Sequence, residues 1–448
     1  MSAAPHLAVL VPHLRQGGGE LSMLRLAAAL ARSGLRVDLL VHTLAGAEVA
    51  VPAGLNVVQL GGGEALGTLS SLRHLARWLR VHRPRWLLSA FPHTNVAAVA
   101  AASWARCGCQ VVVSEHAPLS LQIQRQGQLG GGWRYRVLPP LVRWAYRRAA
   151  AVVAVSQGVR DDLHQLVGPG LQVHTIANPV LDAAVAAHPP GDGPGAPGAA
   201  QRWRGLPVLH HGAQAGQGAQ LGQGAQVGTP LHPWLTDPSL AVVLSVCRLS
   251  EEKGLPLLLQ AFATLHAQRP HTRLVLAGDG PLRKPLQRQV QALGLQAVVA
   301  LPGRIEAPRH WMQRAAVFAL ASSYEGFGNV LVEALSCGTA VVSTDCPVGP
   351  REILDGGRFG ALVPVGDAEA MAAALGRAVD APGAPAGALA HAWQFTDAAA
   401  CAAYCRLLFA LGAPAALSSA AQGPEELPAA PLQPPPVGAA GVKRRRPC

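Results

Sequence analysis

Short apolar runs alternate with helical patterns twice over along this chain, and few architectures accept that rhythm. Over residues 5–180, apolar runs at 7–11, 36–41, 57–60, 86–89, 110–113, 151–155 and 172–176 read as strands. Helical stretches at about 20–32, 66–81 and 95–106, and after Gln157, lie between them. Strands joined through helices must run parallel and be covered on both faces, which predicts a doubly wound sheet. The same alternation resumes at 240–246 and continues through 273–277, 298–301, 316–321, 339–343 and 361–365. At 448 residues the chain has room for two such α/β domains, each with its own core.

Composition divides the two series. Residues 182–237 carry Pro189-Pro190-Gly191 and repeated Gly-Ala-Gln and Gly-Gln-Gly units, too poor in large side chains to bury a core. The expected organisation is a first domain over 1–181, a low-complexity linker or insertion over 182–237 and a second domain over 238–395. A helix over 396–411 and a Pro/Ala-rich tail over 412–448 follow, and the tail ends in Lys443-Arg444-Arg445-Arg446. The eight cysteines include no C-x-x-C pair, as expected of thiols in a reduced compartment. No apolar stretch approaches the roughly 20 residues needed to span a bilayer. A cytoplasmic protein, peripheral at most to the inner face of a membrane, is expected.

The net charge of +12 favours acidic partners. With no zinc-finger spacing and no aromatic RNA-binding strand, nucleic acid is not expected among them. The segment 119–149 sets Trp133-Arg134-Tyr135-Arg136 and Arg143-Trp144-Ala145-Tyr146-Arg147-Arg148 beside a Gln/Gly loop. Aromatics next to arginines suit an anionic membrane surface, and equally a packed helix with a basic edge.

The most informative stretch is Ser322-Ser323-Tyr324-Glu325-Gly326-Phe327-Gly328-Asn329-Val330-Leu331-Val332-Glu333. A buried strand ends there in a glycine-containing loop that opens a helix. Glu325 lies in the loop and Glu333 about one turn into the helix, while Gly326 and Gly328 let backbone approach a ligand. Helical side chains lean toward their own N-terminus, so the Glu333 carboxylate points back at the loop. Two carboxylates facing exposed amides suit a ligand with hydroxyls on both sides of a phosphate. Arg248 and Lys253-Gly254 precede another helix, where two cations can neutralise a diphosphate. Gly17-Gly18-Gly19 sits at the first strand-to-helix junction, and Ser114-Glu115-His116 at a strand's carboxyl end.

Glu325 through Glu333, followed by Ala334, Gly338, the strand 339–343 and Pro350-Arg351-Glu352-Ile353-Leu354, resembles the donor-binding signature of the family-4 retaining glycosyltransferases. The resemblance covers roughly 5–180 and 238–410. It implies the GT-B fold, two Rossmann-like domains facing across a cleft, with the first on the acceptor side. It further implies a nucleotide-diphosphate sugar as co-substrate, with no cofactor and no metal. Arg248 and Lys253 would stabilise the leaving diphosphate, Glu333 the ribose and Glu325 the sugar hydroxyls. The amides of Phe327, Gly328, Asn329 and Val330 would hold sugar and phosphate, and Gly17, Gly18 and Gly19 would face the donor from across the cleft. A histidine beside the transferred sugar matches His116, with His93 as the runner-up. The Cys346-Pro347-Val348-Gly349-Pro350-Arg351-Glu352 variant resembles bacterial envelope-glycan members, which implies a lipid-linked or lipopolysaccharide acceptor. The alternative is a degenerate transferase that binds a nucleotide sugar or glycan. No Asp-x-Asp motif of the metal-dependent GT-A transferases occurs, nor a strand-to-helix dinucleotide fingerprint with its acidic partner.

Overall fold

The computed structural model of the protein describes residues 4–14, 17–44, 47, 49–52, 54–61, 68–128, 134–183 and 231–411. The expectations for the linker within 184–230, for Trp133, for the side chains of Arg134, Tyr135 and Arg136, and for the tail over 412–448 lie outside the described residues.

In the first domain β1 (His6–His13), α1 (Gly18–Arg32), β2 (Arg36–Thr43), β3 (Asn56–Gln59), α2 (Thr68–His82), β4 (Trp86–Ala90) and α3 (Pro92–Ala105) follow one another. Then come β5 (Gln110–Glu115), α4 (Leu119–Gln128), α5 (Arg134–Tyr146), β6 (Ala151–Ala154), α6 (Gln157–Val167) and β7 (Val173–Thr175). The sheet is wholly parallel in the order β3-β2-β1-β4-β5-β6-β7. Alternate residues of β1 explain why it is central. Leu7, Val9 and Val11 enter one buried cluster while Ala8 and Leu10 enter another on the opposite face. A strand covered on both sides has no polar face to show, so its sequence is a continuous apolar run.

The second domain contains β8 (Ala241–Val246), α7 (Leu255–Gln268), β9 (Thr272–Ala277), α8 (Arg283–Ala292), β10 (Val299–Gly303) and α9 (Pro308–Met312). It continues through β11 (Val317–Leu320), α10 (Asn329–Leu335), β12 (Ala340–Thr344), α11 (Pro350–Ile353), β13 (Ala361–Val363), α12 (Ala368–Asp380) and α13 (Ala388–Ala392). Its parallel sheet has the order β10-β9-β8-β11-β12-β13. Chain direction across each sheet reverses beside the first strand, between β1 and β4 and between β8 and β11. Crevices at the carboxyl ends of such strand pairs are where doubly wound sheets bind ligands.

The final helix, α14 (Asp397–Leu411), lies on the first domain. Ala400, Tyr404, Leu407 and Leu408, at helical spacing, are buried in the cluster that contains Leu7 and Val9. Phe409 meets the Trp86 ring edge-on at 5.6 Å, and Gln110 Nε2 donates to Leu411 O at 2.9 Å. The chain passes between domains twice, side by side. The amides of Val180 and Leu181 donate to Phe395 O at 2.9 and 3.1 Å, and Asp397 N donates to Leu181 O at 2.8 Å.

Three local expectations differ from the structure. Helix α1 begins at Gly18, so two of the three glycines form its first turn and Gly17 is its N-cap. The stretch from 119, expected as a loose loop, is the helix α4. Helix α3 starts at Pro92, because proline's fixed φ and missing N–H suit a first helical position.

Candidate functional site

The second-domain half of the crevice is built from the loops that follow β8 and β11. Gly254 turns the first loop at φ 59°, and a Cβ there would lie 2.0 Å from Ala321 O, so the two loops pack backbone against backbone. Ser323 N donates to Glu252 O at 2.8 Å and fixes them together. The close approach places Lys253 Nζ 2.6 Å from Glu325 Oε1, an atom that also accepts from Ser322 Oγ at 2.6 Å. Both partners are largely buried, with 18% and 10% of their side-chain surfaces exposed. Desolvation pulls the Lys253 ammonium down, but the charge and hydrogen bond of Glu325 outweigh it and its pKa ends above the ordinary value. Sequence reasoning treated Lys253 and Glu325 as separate ligand contacts. The structure joins them. Arg248 is exposed at the mouth of the same loop and has no acidic partner among the described residues.

Glu333 sits one turn into α10 and is partly buried. Burial pushes its carboxyl above the usual carboxylate range, and the charges of Arg25 and Arg309 pull it back. Arg309 lies at the start of α9, and its Nη2 is buried without a hydrogen-bond partner among the described residues. Arg25 belongs to α1 of the other domain, so Glu333 feels a cation from each side of the crevice. Phe327 is buried edge-on against Phe395, with ring centres 5.5 Å apart, and Gly328 turns into α10 at φ 99°. Asn329 Nδ2 donates to Gly18 O at 3.0 Å and to Ser22 Oγ at 3.1 Å, and its Oδ1 accepts from Asn178 at 3.0 Å. The Asn329 side chain therefore ties the domains together, and its amide begins the helix. The Val330 side chain packs against the core.

On the first-domain side, Gly17, Gly18 and Gly19 lie where α1 begins. A Cβ at Gly17 would strike the Glu20 carboxylate, and one at Gly19 would lie 2.9 Å from the Phe91 ring and 3.7 Å from His116 Cβ. His116 meets the loop after β11 directly, since a Cβ on Gly326 would fall 1.8 Å from His116 O. His93 is instead exposed on the first turn of α3. Desolvation lowers the His116 pKa to about 4, so its imidazole is neutral at physiological pH. Its Nε2 is 3.2 Å from Ser114 Oγ. Behind it, Glu115 is buried with Asn95 Nδ2 at 2.9 Å and the Tyr146 hydroxyl on the same oxygen. Burial raises the Glu115 pKa to about 8, against the lowering effect of those two bonds.

Phe91 went unread in the sequence. It holds φ 74° where β4 ends, a left-handed conformation rare for an aromatic residue and common at ligand-facing turns. Arg25, Arg309 and Asn178 were also missed as parts of this region. No local pattern marks them, because each reaches the crevice from a separate element.

The basic segment is partly committed to packing. Arg143 Nε donates to Leu166 O at 2.6 Å and Arg147 Nη2 to Val167 O at 2.8 Å, where both satisfy carbonyls at the end of α6. Arg148 lies 5.2 Å over the Trp144 ring, and Val137 and Leu141 of α5 are exposed. Among the described residues no helix is long and apolar enough to cross a membrane, and no group of three or more His, Cys, Asp or Glu could hold a metal ion.

Residues 233–392 match the family model described as glycosyl transferases group 1, and residues 17–179 that described as glycosyl transferase 4-like domain. One curated relative is the N-acetylgalactosamine-N,N'-diacetylbacillosaminyl-diphospho-undecaprenol 4-alpha-N-acetylgalactosaminyltransferase of Campylobacter jejuni, 40% identical over 129 residues. That match covers 29% of this chain and 34% of the relative. Another is the lipopolysaccharide core biosynthesis glycosyltransferase LpsE of Rhizobium meliloti, 37% identical over 134 residues, 30% of this chain and 38% of the relative. The chain thus spans little more than a third of the length of these relatives. Among solved structures, Anabaena HepE in complex with UDP and glucose superposes with a TM-score of 0.65 at 21% identity, over 90% of this chain and 99% of that one.

Proposed function

Because the chain belongs to the glycosyltransferases of group 1 and has their GT-B fold, we propose that it is a retaining, metal-independent transferase that moves a sugar from a nucleotide-diphosphate donor to a lipid-linked or lipopolysaccharide glycan. The observation that carries this reading is the Lys253–Glu325 pair where the loops after β8 and β11 meet, with Gly326 of the same loop set against His116 of the first domain.

In this reading Arg248 and Lys253 face the diphosphate and stabilise the charge that grows on it as the glycosidic bond breaks. Arg248 supplies a free fork, whereas Lys253 is oriented by Glu325. Glu325 spends Oε1 on Lys253 and Ser322, which leaves Oε2 for the sugar hydroxyls. Glu333 accepts hydrogen bonds from the ribose. The amides of Phe327, Gly328, Asn329 and Val330 hold sugar and phosphate, and the first turn of α1 at Gly17, Gly18 and Gly19 faces them. Neutral His116 serves the sugar as a hydrogen-bonding group rather than as a cation. A donor phosphate oxygen takes the acceptor proton in a front-face attack, so no protein nucleophile is needed. The first domain, over 1–181, presents the acceptor.

The diphospho-undecaprenol acceptor named for the Campylobacter relative, and the lipopolysaccharide core biosynthesis named for the Rhizobium one, support an envelope glycan as the product. Exposed Val137 and Leu141 beside Arg148 and Trp144 fit peripheral docking of α5 at an anionic cytoplasmic membrane face. The test is hydrolysis or transfer from a panel of nucleotide sugars, in detergent with membrane lipid extract, by wild type, Glu325→Ala and Arg248→Ala. Turnover of one donor, lost by a factor of about a hundred or more in both variants, is the expected result. Folded wild-type protein that neither turns over nor binds any donor refutes the proposal.

A further inference from the structure

The domains also meet at the N-terminus of α6. Helix α6 begins at Gln157, and its first three amides have no acceptor within the helix. Val159 N donates to Ser156 Oγ at 3.2 Å, an ordinary side-chain cap. The other two cross to the second domain. Gln157 N donates to Glu352 Oε2 at 2.8 Å, and Gly158 N donates to Glu352 Oε1 at 3.0 Å. A carboxylate from one domain thus completes the helix N-terminus of the other, where both the helix dipole and charge-assisted bonds favour it.

The segment that carries Glu352 is joined to the donor-side loop. A Cβ at Gly349 would lie 1.9 Å from Phe327 O, so the stretch before α11 rests directly on the backbone of that loop. Ser156 Oγ, beside the carboxylate, is also 3.4 Å from Gly326 O. Gly326 in turn abuts His116 O. A Cβ at Gly158 would meet Val348 Cγ2 at 2.8 Å, so glycine lets the two surfaces approach. The chain crosses between the domains at 180–181 and 395–397, and Glu352 adds a side-chain tie between them.

We propose that Glu352 is the latch of the closed cleft, a positioning residue that seats the Gly326 loop against His116 by bonding the N-terminus of α6. When the cleft opens, water replaces the carboxylate at those amides, and the loop is released together with the product nucleotide. The effect on turnover rests on the transferase reading. The effect on closure does not.

A crosslink in the full chain separates the two. The Cβ of a cysteine at 158 would lie 3.3 Å from Val348 Cβ, a few tenths of an ångström inside the roughly 3.5–4.5 Å that disulfides span. Gly158→Cys/Val348→Cys is oxidised under mild conditions, and the linked peptides are followed by mass spectrometry, which sets the native cysteines aside. With Glu352 present the pair crosslinks. Glu352→Ala slows the reaction about tenfold or more, and Glu352→Gln, which keeps one acceptor oxygen, falls between. Far-UV circular dichroism confirms that each variant is folded. On a nucleotide sugar, Glu352→Gln lowers kcat about tenfold and moves the donor KM less than about threefold, because the donor's own contacts remain in place. A crosslinking rate within about twofold of the parent pair in both Glu352 variants overturns the latch. A clear rate difference in a protein that neither turns over nor binds any donor upholds the latch and sinks the transferase reading.

Discussion

The Lys253–Glu325 pair can be broken from either side, and the two breaks should not add. At 2.6 Å and an effective dielectric near 20, the Coulomb attraction is on the order of 6 kcal/mol. Desolvating both ions returns most of it, since only 18% and 10% of their side-chain surfaces remain in water. What remains is close to the worth of a good charge-assisted hydrogen bond, about 2–3 kcal/mol. Lys253→Met leaves a buried carboxylate with Ser322 as its one side-chain donor among the described residues, and Glu325→Gln leaves a buried ammonium facing a neutral oxygen. Each single change is expected to destabilise the second domain by about 2–3 kcal/mol, and the double change by about 2 kcal/mol less than their sum. Urea unfolding of the four proteins, followed by tryptophan fluorescence, measures the cycle through the transition of the second domain. Donor turnover in the same proteins gives a parallel cycle, in which the double variant should be no slower than the slower single one. Stability effects that add within about 0.5 kcal/mol would refute the coupling, and with it the argument that Glu325 orients Lys253.

Gly326→Ala puts a Cβ where His116 O now stands, so the loop must retreat by an ångström or more. Turnover should fall at least about a hundredfold with little change in melting temperature, and near-normal activity would show that the loop need not seat there. Asn329→Ala removes three bonds between the domains and should slow the same reaction about tenfold, measured at saturating donor. Glu115 predicts a pH effect. The folded chain keeps the Glu115 proton until about pH 8, whereas an unfolded chain releases it near 4.5, so the folded form binds more protons between those values. The stability from this group is therefore complete below about pH 4.5 and is lost as pH rises through about 8, on the order of 4–5 kcal/mol in all. Glu115→Gln should flatten the fall in melting temperature between pH 5 and 8.5, and an unchanged slope counts against a protonated Glu115. His116 works in the opposite sense. Its lowered pKa means stability is lost as pH falls from about 6.5 toward 4, and His116→Gln should remove that acid limb from a thermal melting series.

The amino-acid sequence by itself determined the two parallel sheets. Strand and helix periods are local, and alternating them through β1 to β13 leaves a doubly wound arrangement as the way to bury every apolar run. It also marked the ends of β8 and β11, because Arg248 and Lys253 beside Gly254, and Glu325 and Glu333 about Gly326 and Gly328, each stand out as a charged, glycine-containing loop. Starting α1 at Gly18 was a matter of capping geometry, which a run of three glycines leaves open. The rest was decided by tertiary structure. That Lys253 holds Glu325, that Asn329 reaches Gly18 and Asn178, that Phe91 turns left-handed beside Gly19, and that Glu352 caps α6 are contacts between residues far apart in the chain. The Asn329 and Glu352 contacts depend on how the two domains bring their loop tips together, and the other two on how neighbouring loops pack at the end of one sheet. Hydrophobic periodicity says which face of a strand or helix is buried. Which loop on one domain meets which on the other is set by the packing of whole domains, and no window of sequence contains it.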